Sequence, residues 1–385
     1  MQKENNFLLN LFEKEHGIPE YYESISFINN GGVLYKTDAK GYHYPNSNAL
    51  YHITFFPDYL AGKFKNESEL NIKKFNLVKG YCIDLTDFQD VDSYLKHQFK
   101  KNAKTIRRFV NRLESCFNIE YKFFYGQIPK EEYNHLLATL RKMILQRFEQ
   151  RNEESKIISK WDRTVALTYP LLLKKRASIF VIYDNGNPIE IAINYHFNQI
   201  LFSYISSYDI DYSKFGLGHV EIYKQLEWCL ENNFNKFEMG WGDLDYKRRW
   251  SNLIYNFEQY LFYQKMSFIA KCKFKIKELT INIKLYLISK NVHIYVRKLK
   301  KQISRKGKSN DIDYEIVPIE NPELEVHFNK IDHHLESYTF LKKIINDFLY
   351  SSIEHVANVE VHYNQDNNTY IIKVLQHAQK VIFKK

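Results

Sequence analysis

The chain has 385 residues, of which 44% are hydrophobic and 26% charged, with only 13 Gly and 8 Pro; this excludes a disordered, collagen-like or linker-dominated protein and leaves room for roughly two or three packed units. Its formal charge of +10 directs attention to anionic partners. No apolar run approaches the ~20 residues needed to cross a bilayer, and the short run Phe7 to Phe12 has acidic neighbours and no signal-length continuation, so a cytoplasmic protein is expected.

The first 90 residues read as short strands separated by turns: Ile25 to Ile28, the Asn30, Gly31, Gly32 turn, Val33 to Tyr35, Ala49 to Phe56 and Tyr81 to Leu85. Residues 95 to 115 predict one amphipathic helix, with Phe99, Ala103, Ile106, Val110 and Leu113 on its apolar face and Lys101, Lys104, Arg108 and Arg112 on another. A strand near Ile119 to Phe124 and a helix from about Glu131 to Gln150 follow, and the polar RNEESK segment reads as a loop or helix end. Ser178 to Tyr183 and Ile189 to Phe197 flank an Asn185, Gly186 pair, a strong hairpin signal. Ile200 to Ser206 is a further strand; the glycine loop KFGLGH, a helix from about His219 to Asn232 and a strand Lys236 to Met239 complete this region.

From Lys265 to Lys308 there are 14 basic residues against the single acid Glu278, a local charge of +13. Phe268, Ile276, Leu279, Ile283, Leu287 and Ile294 recur there at mostly helical spacing among the lysines. Such a segment suits an anionic membrane or an RNA backbone, or is a solvated helix joining two domains. Beyond it, strands near Tyr314 to Val317 and Leu324 to Phe328, a helix near Leu335 to Tyr350 and a hairpin from Val359 to Leu375 form a small unit without a chemical motif.

Cys82, Cys116, Cys229 and Cys272 stand tens of residues apart without zinc spacing, so neither a metal site nor a disulfide framework is expected. Gly307, Lys308, Ser309 ends like a phosphate loop, but Gln302 stands where its first Gly belongs. His333 and His334 are adjacent and cannot form an i, i+4 metal pair. The stronger element is Lys214, Phe215, Gly216, Leu217, Gly218, His219 between a strand and a helix. Its glycines let backbone approach a ligand, and the helix N-terminus favours phosphate; an ordinary helix cap is the alternative.

Residues 91 to 265 resemble the acetyltransferase domain of the GNAT superfamily found in cellulose-biosynthesis-type and Fem-related proteins. The resemblance rests on KKNAKTIRRFVNRLE, the DNGNPIEIAINYHF hairpin, the glycine loop leading into EIYKQLEWCLENN, and KFEMGWGDLDYKRRW. Two positions depart from the family pattern: Ser213 stands where its acyl-CoA loop opens with Gln or Arg, and Glu238 where Asp is usual. The resemblance implies an α+β, GNAT-like (acyl-CoA N-acyltransferase) fold with two GNAT-like lobes and a small C-terminal α/β domain. The boundaries expected are 1–150 for an N-terminal lobe, 151–264 for the catalytic lobe, 265–308 for the basic connector and 309–385 for the last domain.

The implied activity is acyl transfer from acetyl-CoA or another acyl-CoA to an amine or hydroxyl of an amino sugar or surface-polysaccharide precursor, without a metal. Lys214, Gly216, Leu217, Gly218 and His219 would bind the donor. Glu238, Asp243 or Asp245 would supply a base, Tyr246 a proton for the leaving thiolate or a hydrogen bond to the substrate, and Lys247 a phosphate contact or a counter-charge to an acidic partner, with Glu190 and His196 as second-rank candidates. Two other readings stand beside this one. A Fem-type transferase would draw on aminoacyl-tRNA, although the coiled-coil arm of some such enzymes is missing; a non-catalytic adaptor would sit peripherally at the inner membrane face through 265–308.

Overall fold

A computed structural model of the chain describes residues 5–14, 17–29, 31–39, 41–153, 155, 157–290, 314–319, 328–365 and 367–384. In chain order the elements are β1 (Asn5–Asn6), α1 (Phe7–Glu13), β2 (Tyr22–Phe27), β3 (Val33–Lys36), β4 (Tyr51–Pro57), β5 (Leu60–Phe64), β6 (Leu70–Asp84), α2 (Val91–Phe99), α3 (Ala103–Cys116), β7 (Ile119–Phe124), α4 (Lys130–Gln150), α5 (Trp161–Leu173) and β8 (Ala177–Asp184). There follow β9 (Asn187–Phe197), β10 (Ile200–Tyr208), α6 (Leu217–Glu231), β11 (Lys236–Trp241), α7 (Asp245–Trp250), β12 (Leu253–Gln264), α8 (Phe268–Ser289), β13 (Tyr314–Ile319), β14 (Asn329–Ile331), α9 (Lys342–Ser352), β15 (Val359–Asn364), β16 (Thr369–Val374) and β17 (His377–Phe383). The expected strand at Leu324 to Phe328, save Phe328 itself, lies outside the described residues, as do Gly307 to Ser309 and the connector beyond Lys290.

Two compact units emerge, each assembled from three stretches: residues 1–87, 195–203 and 233–307 form one, and 88–194, 204–232 and 308–385 the other. The sequence reading divides the chain into consecutive segments instead. Strand exchange is the reason: β9 and β10 each contribute residues to both units.

In the first unit, the strand order β1, β4, β12, β6, β11 continues to the start of β10. β6 is fifteen residues long and pairs antiparallel with β12 along one edge and β11 along the other. A second sheet, β3, β2, β5, completes the unit's strands. The apolar run at the N-terminus is core: Phe7, Leu8, Leu11 and Phe12 are buried, and the Phe7 ring lies 4.6 Å from Phe56. Tyr22 stacks on Phe64 at 4.7 Å.

In the second unit, β7 to β9 carry the Asn-Gly hairpin as expected, with Asn185 and Gly186 at φ +46° and +79°, the left-handed pair that matches strand twist. Every residue of β8 is buried. The single helix expected over 95–115 is two helices. Asp90 caps α2 by accepting the Ser93 N–H at 2.6 Å, and the chain turns at Lys100 with φ +50° before α3 begins. α5 is a further helix that the polar segment before it gave no reason to expect. The five-stranded C-terminal sheet β13, β17, β16, β15, β14 shares one core with α3 and α6: Leu113, Phe215 and Leu217 pack in the same cluster as Leu349, Val361 and Ile372. Part of the basic stripe serves this packing, since Arg112 donates to the Tyr350 carbonyl at 2.9 Å and its guanidinium lies over the Tyr350 ring. Arg107 pairs with Asp92 at 2.7 Å.

Candidate active site

β11 ends in an irregularity. Its pairing with β6 runs Phe237 to Ile83 and Glu238 to Cys82, then shifts register before Trp241 meets Gly80. Gly240, at φ +67°, makes the bulge possible, because a side chain there would be strained and its Cβ would lie 3.2 Å from the Phe202 ring. Two consequences follow for the groups around it. The Gly240 N–H turns onto Glu238 Oε1 at 2.7 Å, and the carbonyls of Met239 and Trp241 accept from Lys247 Nζ at 2.6 and 2.7 Å.

Glu238 is fully buried. Its Oε2 accepts from the Tyr59 hydroxyl at 3.0 Å, and the Tyr59 ring meets Tyr255 edge-on at 4.7 Å. Gly80 makes room for Tyr255, as a Cβ on Gly80 would fall 2.2 Å from that ring. Burial pushes the Glu238 carboxyl up to about 7; Tyr255, the Gly240 N–H, Tyr59 and the Lys247 charge act in the opposite direction. Burial likewise pushes Lys247 down to about 8, with Glu238 opposing. The result is an acid on the distorted end of β11 and an ammonium group that reaches it from α7, both titrating near neutrality.

The other sequence-predicted residues of this segment are outside that buried spot. Asp243 is exposed, accepts from the Tyr81 hydroxyl at 2.6 Å and pairs with Arg248; these two contacts hold it below the usual carboxylate range. Asp245 is exposed and bound to Arg249 at 2.7 Å. Tyr246 is exposed on α7, and Trp250 is core. Of five candidates, then, Glu238 and Lys247 come together. Tyr59 and Tyr255, which join them, carry no sequence signal. Tyr59 is 179 residues from Glu238 in the chain, and both are among 30 tyrosines.

The glycine loop belongs to the second unit. Gly216 sits at φ +65° as the N-terminal cap of α6, with no side-chain cap and no acid in the helix's first turn. The loop is open to an anion in that respect. Phe109 of α3 stacks on His219 with ring centroids 5.5 Å apart and stands 2.9 Å from where a Gly216 Cβ would be; a Cβ on Gly218 would meet nothing within 4 Å. Leu217 is a core residue. Lys214 reaches Asp347 of α9 at 3.6 Å, Lys342 binds Asp209 at 2.7 Å, and Asn346 donates to the Asp211 carbonyl at 3.1 Å. α9 therefore braces the loop from its polar side. Gly216→Ala is expected to lower stability by about 1–3 kcal/mol through left-handed strain and the Phe109 contact, while Gly218→Ala is expected to leave the unfolding midpoint unchanged or raised; thermal unfolding of the pair checks this.

The second-rank candidates are buried elsewhere. Burial and the charge of Glu221 push Glu190 well above the usual carboxylate range, and Glu221 accepts from Gln225 at 2.7 Å. Burial pushes the His196 ring down to about 3. Among the described residues no three His, Cys, Asp or Glu cluster as metal ligands.

Residues 100–248 match the family model described as an acetyltransferase (GNAT) domain, which supports acyl transfer as the chemistry of this region. No curated protein sequence matches. Among solved structures, the chain is similar to a conserved protein of unknown function from Bacteroides thetaiotaomicron VPI-5482, with 11% identity over 55% of this chain and 69% of that one and a TM-score of 0.38. FemX is similar at 9% identity over 54% and 71% of the two chains, TM-score 0.39. A functionally unknown conserved protein from Staphylococcus epidermidis ATCC 12228 is similar at 12% identity over 56% and 72%, TM-score 0.29. The fold is α+β and GNAT-like.

Proposed function

We propose that the chain is an acyltransferase that moves an acetyl or other acyl group from acyl-CoA to an amine or hydroxyl, with amino sugars and surface-polysaccharide precursors as the first acceptors to screen. The observation that carries this reading is Glu238, a buried carboxyl on the β11 bulge whose affinity for protons is raised to about 7, inside the segment that matches an acetyltransferase domain. A group with that affinity is half ionised near neutrality. It can take a proton from an acceptor and release it again without a large driving-force penalty.

Bound acyl-CoA would supply the thioester. Gly216, Gly218 and His219 are the residues proposed to hold its phosphates, on the N-terminal end of a fifteen-residue helix. Glu238 takes the acceptor's proton as its nitrogen or oxygen bonds to the acyl carbon. The Gly240 N–H and Tyr59 O–H fix the carboxylate's orientation, and the Lys247 ammonium favours its ionised form. Tyr246 is the proposed donor of the proton taken up by the departing sulfur.

Thermal unfolding with and without excess CoA or acetyl-CoA, with bulk tRNA in parallel, tests the donor. At 100 times its dissociation constant a ligand stabilises the native state by about 2.7 kcal/mol. The expected result is a raised midpoint with CoA that Gly218→Glu abolishes and Glu238→Gln retains. No shift with CoA but salt-dependent binding of tRNA would replace this reading with aminoacyl transfer, and no response to either would remove the acyl-CoA donor.

A further inference from the structure

α8 has two apolar faces. The inner one packs Ala270, Phe274 and Ile281 onto Phe75, Leu261 and Tyr263, and Ser267 caps the helix by accepting the Ala270 N–H at 3.0 Å. The outer one exposes residues that the sequence marks as anchors: Phe268 at 77%, Ile276 at 70%, Leu279 at 61% and Ile283 at 52%. At 100° per residue these four, with Cys272 and Leu287, fall on one stripe opposite the buried one. Lysines run along both borders, Lys271 and Lys275 on one side and Lys273, Lys277 and Lys284 on the other. The helix's one acid, Glu278, is buried and bound to Lys73 and Lys275. Lys275 is thereby paired, and no other acid stands on this helix to compete for Lys271, Lys273, Lys277 and Lys284.

A stripe of large apolar side chains along a 22-residue helix, about 33 Å long, costs free energy in water and marks a contact surface. Its borders select the contact. A second copy would set lysine rows against the same lysine rows, since a two-fold interface joins a patch to itself. RNA offers phosphates but nothing for the aliphatic side chains. An anionic bilayer offers phosphates at the depth of the lysines and hydrocarbon at the depth of the stripe, which is the pattern of helices that lie in the interface. Spanning is excluded for this helix: no helix among the described residues is long and apolar enough to cross a membrane. On the Lys277 and Lys284 side, a cleft of about 120 Å³ lined by Leu77, Ile281 and Leu285 beside those two lysines continues from the helix toward the sheet, where His52 and Gln259 bond to each other at 3.0 Å.

We propose that the outer face of α8 docks on an anionic membrane surface, with Phe268, Ile276, Leu279 and Ile283 in the acyl-chain boundary and the lysine rows on lipid phosphates. The reading is independent of the acyl donor.

Vesicle flotation tests it with mixed phosphatidylglycerol and phosphatidylcholine against phosphatidylcholine alone. The full chain is expected to float with the anionic vesicles only and to be released by salt. Ile276→Asp with Ile283→Asp, both solvent-facing, should leave thermal unfolding unchanged and weaken binding by at least about tenfold. A second readout needs no substitution: Cys272 is exposed while Cys82, Cys116 and Cys229 are buried, so a polarity-sensitive dye on Cys272 is expected to shift to the blue on anionic vesicles. Failure to float, flotation untouched by the paired aspartates, or an unshifted dye would each overturn the proposal. So would a dimer in sedimentation that the aspartates convert to monomer without any vesicle binding.

Discussion

Glu238→Gln is expected to slow acyl transfer severely and, at the same time, to make the protein more stable above neutrality. The two effects share a cause. In the unfolded chain the carboxyl ionises near its ordinary value of 4.5, and in the folded protein near 7. Below about 4.5 both states hold the proton and the difference contributes fully to stability. Between 4.5 and 7 the unfolded state binds fewer protons than the folded one, so stability falls as pH rises; above 7 the loss is complete, at roughly 3 kcal/mol. Glutamine never ionises. Its carbonyl accepts from one of the two existing donors, and the Tyr59 hydroxyl can rotate to accept from its amide. The variant should therefore unfold at a higher temperature than the parent at about pH 8 and lose that advantage at about pH 4. Transfer should drop by about 10²–10⁴, and the parent's rate should climb with pH through about 7. Thermal unfolding and transfer rates across pH measure both. A stabilised variant with parental activity would make Glu238 a structural acid and nothing more.

Lys247→Ala is expected to act in the opposite sense on stability. The side chain is buried and donates to the two carbonyls that the Gly240 bulge turns inward. Truncation leaves both carbonyls without that donor and removes the cation that favours ionised Glu238. A loss of about 3–5 kcal/mol in denaturant unfolding is expected. In any folded fraction the acidic limb of the pH–rate profile should move to higher pH, because Glu238 then holds its proton more tightly. Loss of stability alone would leave that limb in place, so the profile separates a tuning role from a packing one. Lys247→Met, which keeps the stem's packing, is expected to recover part of the stability and none of the pH position.

Much of the second unit's hairpin and helix order was legible because its signals are local. Asn185 and Gly186 permit one kind of turn, and the strands on either side are apolar runs of strand length. The approach of Tyr59 and Tyr255 to Glu238 is set instead by the long pairing of β6 with β12 and by the absence of a side chain at Gly80. Neither leaves a trace at the tyrosines themselves. The break at Lys100 was illegible for a related reason: a non-glycine residue in a left-handed conformation is a choice made by packing, and the periodicity continues through it. On α8 the residues that the spacing singles out, Phe268, Ile276, Leu279 and Ile283, face away from the sheet. Both faces are apolar, and spacing alone does not say which one the sheet covers.

The arrangement of β6 also governs how the polypeptide matures on the ribosome. Its two neighbours, β11 and β12, are the last strands of the first unit to be made. At about 5–20 residues per second, the fifteen residues of β6 wait roughly 10–30 s before β11 emerges. During that interval both of its edges are open to pairing with any other nascent strand. Expression yield should thus respond to chaperone supply and growth temperature more than the finished protein's stability would suggest, and fragments ending before β11 should collect as aggregates.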